Sequence, residues 1–137
     1  MKKKSLACLL SLTLLLSLNV APAFAASNDS DYADGSNGRL WGYATSYGQD
    51  ILIRTTIATA GHLYMHSVLE HNDTGAYVGT PAYTEDYGVT EISDDIDLSH
   101  WMSSFTSNHT YALYTTHEFI GTQNYAAYTV VTGTYTP

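Results

Sequence analysis

The sequence predicts an all-β fold, a small antiparallel β-sandwich of immunoglobulin-like or jelly-roll type with about seven strands. Three observations carry that expectation. Beyond residue 25 the chain holds 12 Tyr and 17 Thr, which favour strands, while the Leu, Glu, Lys and Arg that favour helices are few. Short runs alternate bulky with small side chains, and turn-forming residues recur about every 8 to 12 positions. No helical periodicity separates them. A small barrel is the alternative closure for the same strands.

The first 25 residues are read apart from the fold. Lys2, Lys3 and Lys4 make a basic start, residues 6–20 are almost continuously apolar, and Ala23-Phe24-Ala25 supplies small residues for cleavage. This is the pattern of a bacterial secretory signal peptide over residues 1–25. About 15 apolar residues fall short of the roughly 20 that a spanning helix needs. Cys8 precedes most of the apolar stretch, the wrong place for a lipid attachment site.

Residues 26–38, ASNDSDYADGSNG, combine three aspartates with Asn and Gly and lack apolar periodicity. A disordered acidic arm is expected there, followed by a single domain over residues 39–137. Trp41, Tyr43, Thr45 and Tyr47 alternate with smaller residues, as in a half-buried strand. Gly48-Gln49-Asp50 turns the chain into residues 51–60, ILIRTTIATA, whose β-branched density gives the strongest strand signal. After Gly61 a further strand spans residues 62–70. It places Leu63, Met65, Ser67 and Leu69 on one face and His62, Tyr64, His66 and Val68 on the other. Residues 71–75 form a turn by composition, and residues 76–78 complete a hairpin. Pro81, Gly88 and an acidic pair break residues 79–97 into loop with a short edge strand. Residues 98–106 fit a strand or one helical turn, and residues 111–116 and 125–134 are the last two strands. In the final strand Tyr128, Val130 and Thr132 share a face.

Removing residues 1–25 also removes all three lysines and the single cysteine. Arg39 and Arg54 then stand against thirteen carboxylates, a net charge of −11 with neutral histidines. Such a chain cannot neutralise a phosphate backbone, which excludes nucleic acid as a partner and disfavours anionic lipid. With no cysteine there is no disulfide framework, so the core carries the fold unaided. The chain ends Tyr135-Thr136-Pro137, without an apolar tail, and no membrane insertion is expected after processing.

Motifs for catalysis are weak. His117-Glu118 begins like a zinc-protease signature, but Gly121 stands where its second histidine belongs. No Gly-x-Ser-x-Gly elbow occurs. His62 and His66 share a strand face, yet at about 3.3 Å per residue their Cα atoms lie roughly 13 Å apart, too far for one zinc. Glu91, Asp94, Asp95 and Asp97 are the candidate metal ligands, in an acidic loop whose oxygens suit calcium. A solvated acidic loop is the plainer reading, and no cofactor is expected. If all six histidines protonated below about pH 6, the charge would move from −11 to −5 and favour self-association.

The aromatic content points to binding. Twelve tyrosines cannot all bury their hydroxyls in a domain this small, so some face solvent, where Tyr and Trp suit protein or sugar contacts. Trp41, Tyr43, Tyr47, Tyr64 and Trp101 are the candidate contact residues, with Trp101 expected either at the centre of the core or on the rim of a site. These observations imply a secreted, non-enzymatic structural or binding protein acting on a protein or glycan of the cell exterior. The alternatives are a glycan-binding module, which requires at least three coplanar aromatics, and an antimicrobial or toxin-like protein, which so acidic a chain would have to deliver through a protein receptor.

Overall fold

The computed structural model describes residues 27–137, so the expected signal peptide lies outside the described residues. Among the described residues seven antiparallel strands and one short helix follow in order: β1 (Asn28–Gly35), β2 (Gly38–Tyr47), β3 (Asp50–His71), β4 (Tyr77–Gly79), β5 (Tyr83–Asp97), α1 (Leu98–Met102), β6 (His109–Ile120) and β7 (Tyr125–Tyr135). The fold is all-β, as the sequence predicts. It is a single sheet rolled nearly into a barrel, where a sandwich of two stacked sheets was the expectation.

The reason for one sheet lies in β3. This strand runs for 22 residues, joining the two strands predicted on either side of Gly61. Its first half pairs β2 as far as Ile57, and its second half pairs β6 from His62 onward. β5 lines both halves on the opposite edge, with its register shifting between Thr56 and Gly61 and again between Gly61 and Leu63. Strands that pass through the corner keep the two halves within one sheet. Gly61 permits the corner to be tight, because a Cβ there would lie 2.2 Å from the Phe119 ring. β5 turns in step, with Gly88 at φ 70° between its two paired segments.

Two regions differ from the sequence-based expectation. Residues 28–35, predicted as a disordered arm, form β1 and pair with β2 from Asn28↔Thr45 to Gly35↔Gly38. The backbone ladder does not depend on apolar side chains, and the polar residues of β1 find other partners. The Arg39 guanidinium donates to both carboxylate oxygens of Asp34, at 2.8 and 3.0 Å. Residues 83–97, predicted as loop with a short edge strand, form the 15-residue β5. Only Ile92 and Ile96 in this strand are buried, so the alternation that marks a strand is thin.

The rolled sheet places β7 back against β1. The seam is closed by side chains: the amides of Tyr128 and Val130 donate to the carboxylates of Asp31 (2.9 Å) and Asp29 (2.8 Å). The amide of Thr132 donates to Ser27 Oγ at 3.4 Å. At the two ends, the Tyr125 hydroxyl donates to the Gly38 carbonyl (2.9 Å) and Gln49 Nε2 to the Thr136 carbonyl (2.7 Å). Inside, odd-numbered residues of β3 meet those of β6 and β7, with Ile51, Ile53, Leu63, Met65, Leu69, Leu113 and Val131 fully buried. Residues 98–102 take the helical alternative. Asp97 caps α1 by accepting the Ser99 amide at 2.8 Å, and Leu98 and Met102 pack into the core.

Replacing both seam carboxylates, Asp29→Ala with Asp31→Ala, removes two charge-assisted bonds. At a partly exposed seam each contributes about 1 kcal/mol. The double variant is expected to melt about 5–10 °C lower, with faster amide exchange at Tyr128 and Val130. An unchanged melting curve and unchanged exchange at those amides would show that the ladder to β2 alone holds β1.

Candidate functional site

Strand alternation turns Trp41, Tyr43, Tyr47 and Tyr64 outward, but into separate places. Trp41 and Tyr43 lie side by side on the outer face of β2, with ring centroids 6.0 Å apart and planes 15° from parallel. Tyr32 on β1 joins them at 5.1 Å from Trp41, tilted by 48°. The coplanar trio that a glycan platform requires is thus reduced to a pair. Both arginines sit on this face: the Arg39 guanidinium is 4.1 Å from the Tyr32 centroid, and that of Arg54 is 5.0 Å from Tyr43. Beside Tyr43 an open groove of about 360 Å³ is lined by Asn28, Asp29, Ser30 and Thr45. Tyr47, at the end of β2, donates its hydroxyl to the Asp95 carboxylate at 3.1 Å.

Trp101 is not a central core residue. It is 38% exposed and lies over Gly79, where a Cβ would come within 2.5 Å of its ring. In a five-residue helix the inward positions i and i+4 go to Leu98 and Met102, which leaves the tryptophan at the rim.

Tyr64 belongs to a different surface, the outer face of the second half of β3 with its neighbours. Across it, register aligns Tyr83 on β5 with His66 on β3, Thr116 on β6 and Tyr128 on β7. The adjacent row aligns Glu85, Tyr64, Glu118 and Ala126. Tyr83 meets Tyr64 edge-on, with centroids 5.3 Å apart and planes at 88°. His62 stacks on Tyr87 at 3.9 Å, and its Nε2 lies 2.6 Å from Glu85 Oε1, which also accepts the Tyr87 hydroxyl at 3.0 Å. The Tyr64 hydroxyl is held above its ordinary pKa by burial first, then by its charged and ionisable neighbours Tyr83, Glu118 and Glu85. Tyr83, Tyr87 and Tyr128 are 65%, 69% and 64% exposed, and Tyr114 is exposed beside them. Sequence reading misses Tyr83 and Tyr87 because they lie in the segment read as loop. It misses Tyr114 as a contact residue although period-two alternation in β6 marks it as outward.

The four candidate metal ligands do not come together. Glu91, Asp94, Asp95 and Asp97 lie in β5, where successive side chains point to opposite faces. Asp94 accepts from Thr84 Oγ1 at 3.4 Å, Asp95 from Tyr47, and Asp97 from the Ser99 amide, while Glu91 is exposed. The Ser99 bonds and the nearby His100 hold the Asp97 carboxyl below the ordinary range. Among the described residues no three His, Cys, Asp or Glu side chains converge on a metal position.

His117 is the one histidine fully sealed inside. Its Nδ1 lies 2.7 Å from Thr55 Oγ1 and its Nε2 2.8 Å from Thr129 Oγ1, a polar chain that crosses β3, β6 and β7. Gly42 makes room for it, since a Cβ there would meet the ring at 2.3 Å. Burial lowers its pKa from 6.5 to about 4, with the charges of Asp31 and Asp29 opposing the shift in part. His117 therefore does not join the titration of six histidines expected from the sequence.

The same shift sets a pH dependence. Below about 6.5 the unfolded chain takes up a proton that the folded chain refuses, so stability falls as the pH drops toward about 4. The loss amounts to about 3 kcal/mol across that window. In chemical denaturation at pH 7 and pH 4.5, His117→Gln is expected to show a shallower loss than the parent protein. Equal losses would place the pH sensitivity elsewhere. Comparison with family models, with curated proteins and with solved structures returns no match, so the functional reading rests on this geometry.

Proposed function

We propose that this is a secreted, non-enzymatic binding protein of the cell exterior, and that its partner engages the aromatic face formed by Tyr64, Tyr83, Tyr87, Tyr114 and Tyr128. The observation that carries the reading is the exposure of Tyr83, Tyr87, Tyr114 and Tyr128 on the side of the sheet where half-buried Tyr64 also lies. Contiguous exposed aromatic surface is costly for a monomer and typical of contact sites. The polar groups that chemistry would need are committed elsewhere: His117 is sealed between two threonines, and Asp94, Asp95 and Asp97 each accept a hydrogen bond within the fold. The first 25 residues support export, and the charge of −11 on residues 26–137 directs the search away from nucleic acid and anionic lipid.

A second reading, binding of a neutral glycan, draws on the parallel Trp41 and Tyr43 rings beside the groove lined by Asn28, Ser30 and Thr45. The two arginines already seated over Tyr32 and Tyr43 make it the weaker of the two.

One cell-binding assay separates them. Labelled protein is sedimented with intact bacterial cells and with purified wall polysaccharide. Tyr83→Ser with Tyr128→Ser is expected to reduce the bound fraction about tenfold or more, as loss of central aromatic contacts does, while Tyr43→Ser leaves it unchanged. The reverse pattern transfers the function to the β1–β2 face. Retention by both variants overturns the aromatic-contact reading altogether.

A further inference from the structure

The two outer faces of the sheet carry similar chemistry, yet only one is complete. On the β1–β2 face the protein's own cations occupy the aromatic rings. Arg39 lies over Tyr32 and Trp41 while paired to the Asp34 carboxylate, and Arg54 lies over Tyr43. On the opposite face Tyr64 and Tyr83 meet at 88° to form an aromatic corner. Tyr64 stands between two carboxylates that are its direct cross-strand neighbours, Glu85 on β5 and Glu118 on β6. Glu85 Oε1 takes the contacts of His62 and Tyr87, whereas Glu118 makes no hydrogen bond or ion pair among the described residues. No Lys or Arg is present on this face, because Arg39 and Arg54 are the only two beyond residue 4.

From this asymmetry we infer that the corner formed by Tyr64 and Tyr83, flanked by Glu85 and Glu118, receives an arginine or lysine side chain of a cationic partner polypeptide. The inference rests on the aromatic contact face proposed above and names the chemistry of what it binds. Ring faces attract guanidinium and ammonium groups, and Arg is the more frequent of the two. Neighbouring carboxylates add charge-assisted hydrogen bonds, which a planar guanidinium accommodates in a fork. The charge of residues 26–137, −11, draws a basic segment toward them and opposes a second copy. Tyr83, two-thirds exposed at the edge-strand side of the corner, leaves the approach open.

The test titrates the purified protein with a tetra-arginine peptide and, in parallel, with its uncharged tetra-citrulline counterpart. NMR follows the tyrosine ring resonances at fixed ionic strength. The arginine peptide is expected to shift Tyr64 and Tyr83, and the citrulline peptide to do so at least tenfold more weakly. Glu85→Gln with Glu118→Gln is expected to weaken arginine-peptide binding about tenfold. Glu91→Gln with Asp95→Asn, which removes the same charge from the far half of β5, changes it less than about twofold. Equal weakening by both double variants means diffuse attraction to an acidic surface and overturns the assignment. Ring shifts that appear with protein concentration alone, without peptide, assign the corner to a second copy and overturn it as well. If the Tyr83→Ser, Tyr128→Ser protein loses cell attachment while the Glu85→Gln, Glu118→Gln protein binds peptide normally, the contact face stands and the cation site falls.

Discussion

Nearly every side chain takes its place from one constraint: β3 must keep its alternation through 22 residues while its partner changes from β2 to β6. A slip of one residue at the corner would turn Leu63, Met65, Ser67 and Leu69 to solvent and bring His62, Tyr64 and His66 into the core. The mismatch is absorbed by the three exposed residues Ala58, Thr59 and Ala60 and by the shifted register with β5. Gly61 then lets the backbone approach Phe119 where any side chain would collide. The binding face and the core are thus two sides of one period-two pattern. What preserves the one preserves the other.

The interior of the roll holds polar groups among its apolar side chains: Ser46, Thr55, Ser67, Thr115, His117 and Thr129 are all buried. Thr55, His117 and Thr129 form one chain across three strands, and Ser67 and Thr115 form another at 2.9 Å. Among the described residues no buried side-chain polar atom lacks a partner. Satisfied in this way, the groups cost little in stability and demand specific geometry. A neutral imidazole offers one N–H and one bare nitrogen, so one of its two threonines must accept and the other donate. That requirement sets where Thr55 on β3 and Thr129 on β7 stand about the ring on β6.

The sequence made much of this legible. The strand faces of β2, β3 and β7, the turns at residues 48–50 and 71–75, and the outward placing of Tyr43, Tyr64 and Tyr128 follow from alternation and turn composition. What was hidden lies in polar strands. β1 reads as an arm because its inward residues are Asp29 and Asp31, which make seam bonds that no local pattern foretells. β5 reads as a loop because two buried isoleucines are too few to reveal its register. Once β5 is misread, Tyr83 cannot be set beside Tyr64, and the contact face is visible only in part. The corner in β3 leaves no trace except a glycine, since a strand that bends keeps the composition of one that runs straight.

β5 also bears on how the protein behaves when crowded with copies of itself. Among the described residues its 15-residue run pairs with β3 on one edge only, so the other edge offers unpaired backbone donors and acceptors. An edge of that kind is a template for a neighbour's strand. Here it is guarded by Glu85, Asp86, Glu91, Asp94, Asp95 and Asp97, and broken at Gly88. Two molecules meeting edge to edge bring six carboxylates from each, spread over both faces of the strand, close together, a repulsion that reaches about 8 Å at physiological ionic strength. The acidity of the chain is in this sense a colloidal safeguard, strongest in dilute media. It weakens in brine, where screening leaves the same edge with less to oppose a neighbour's strand.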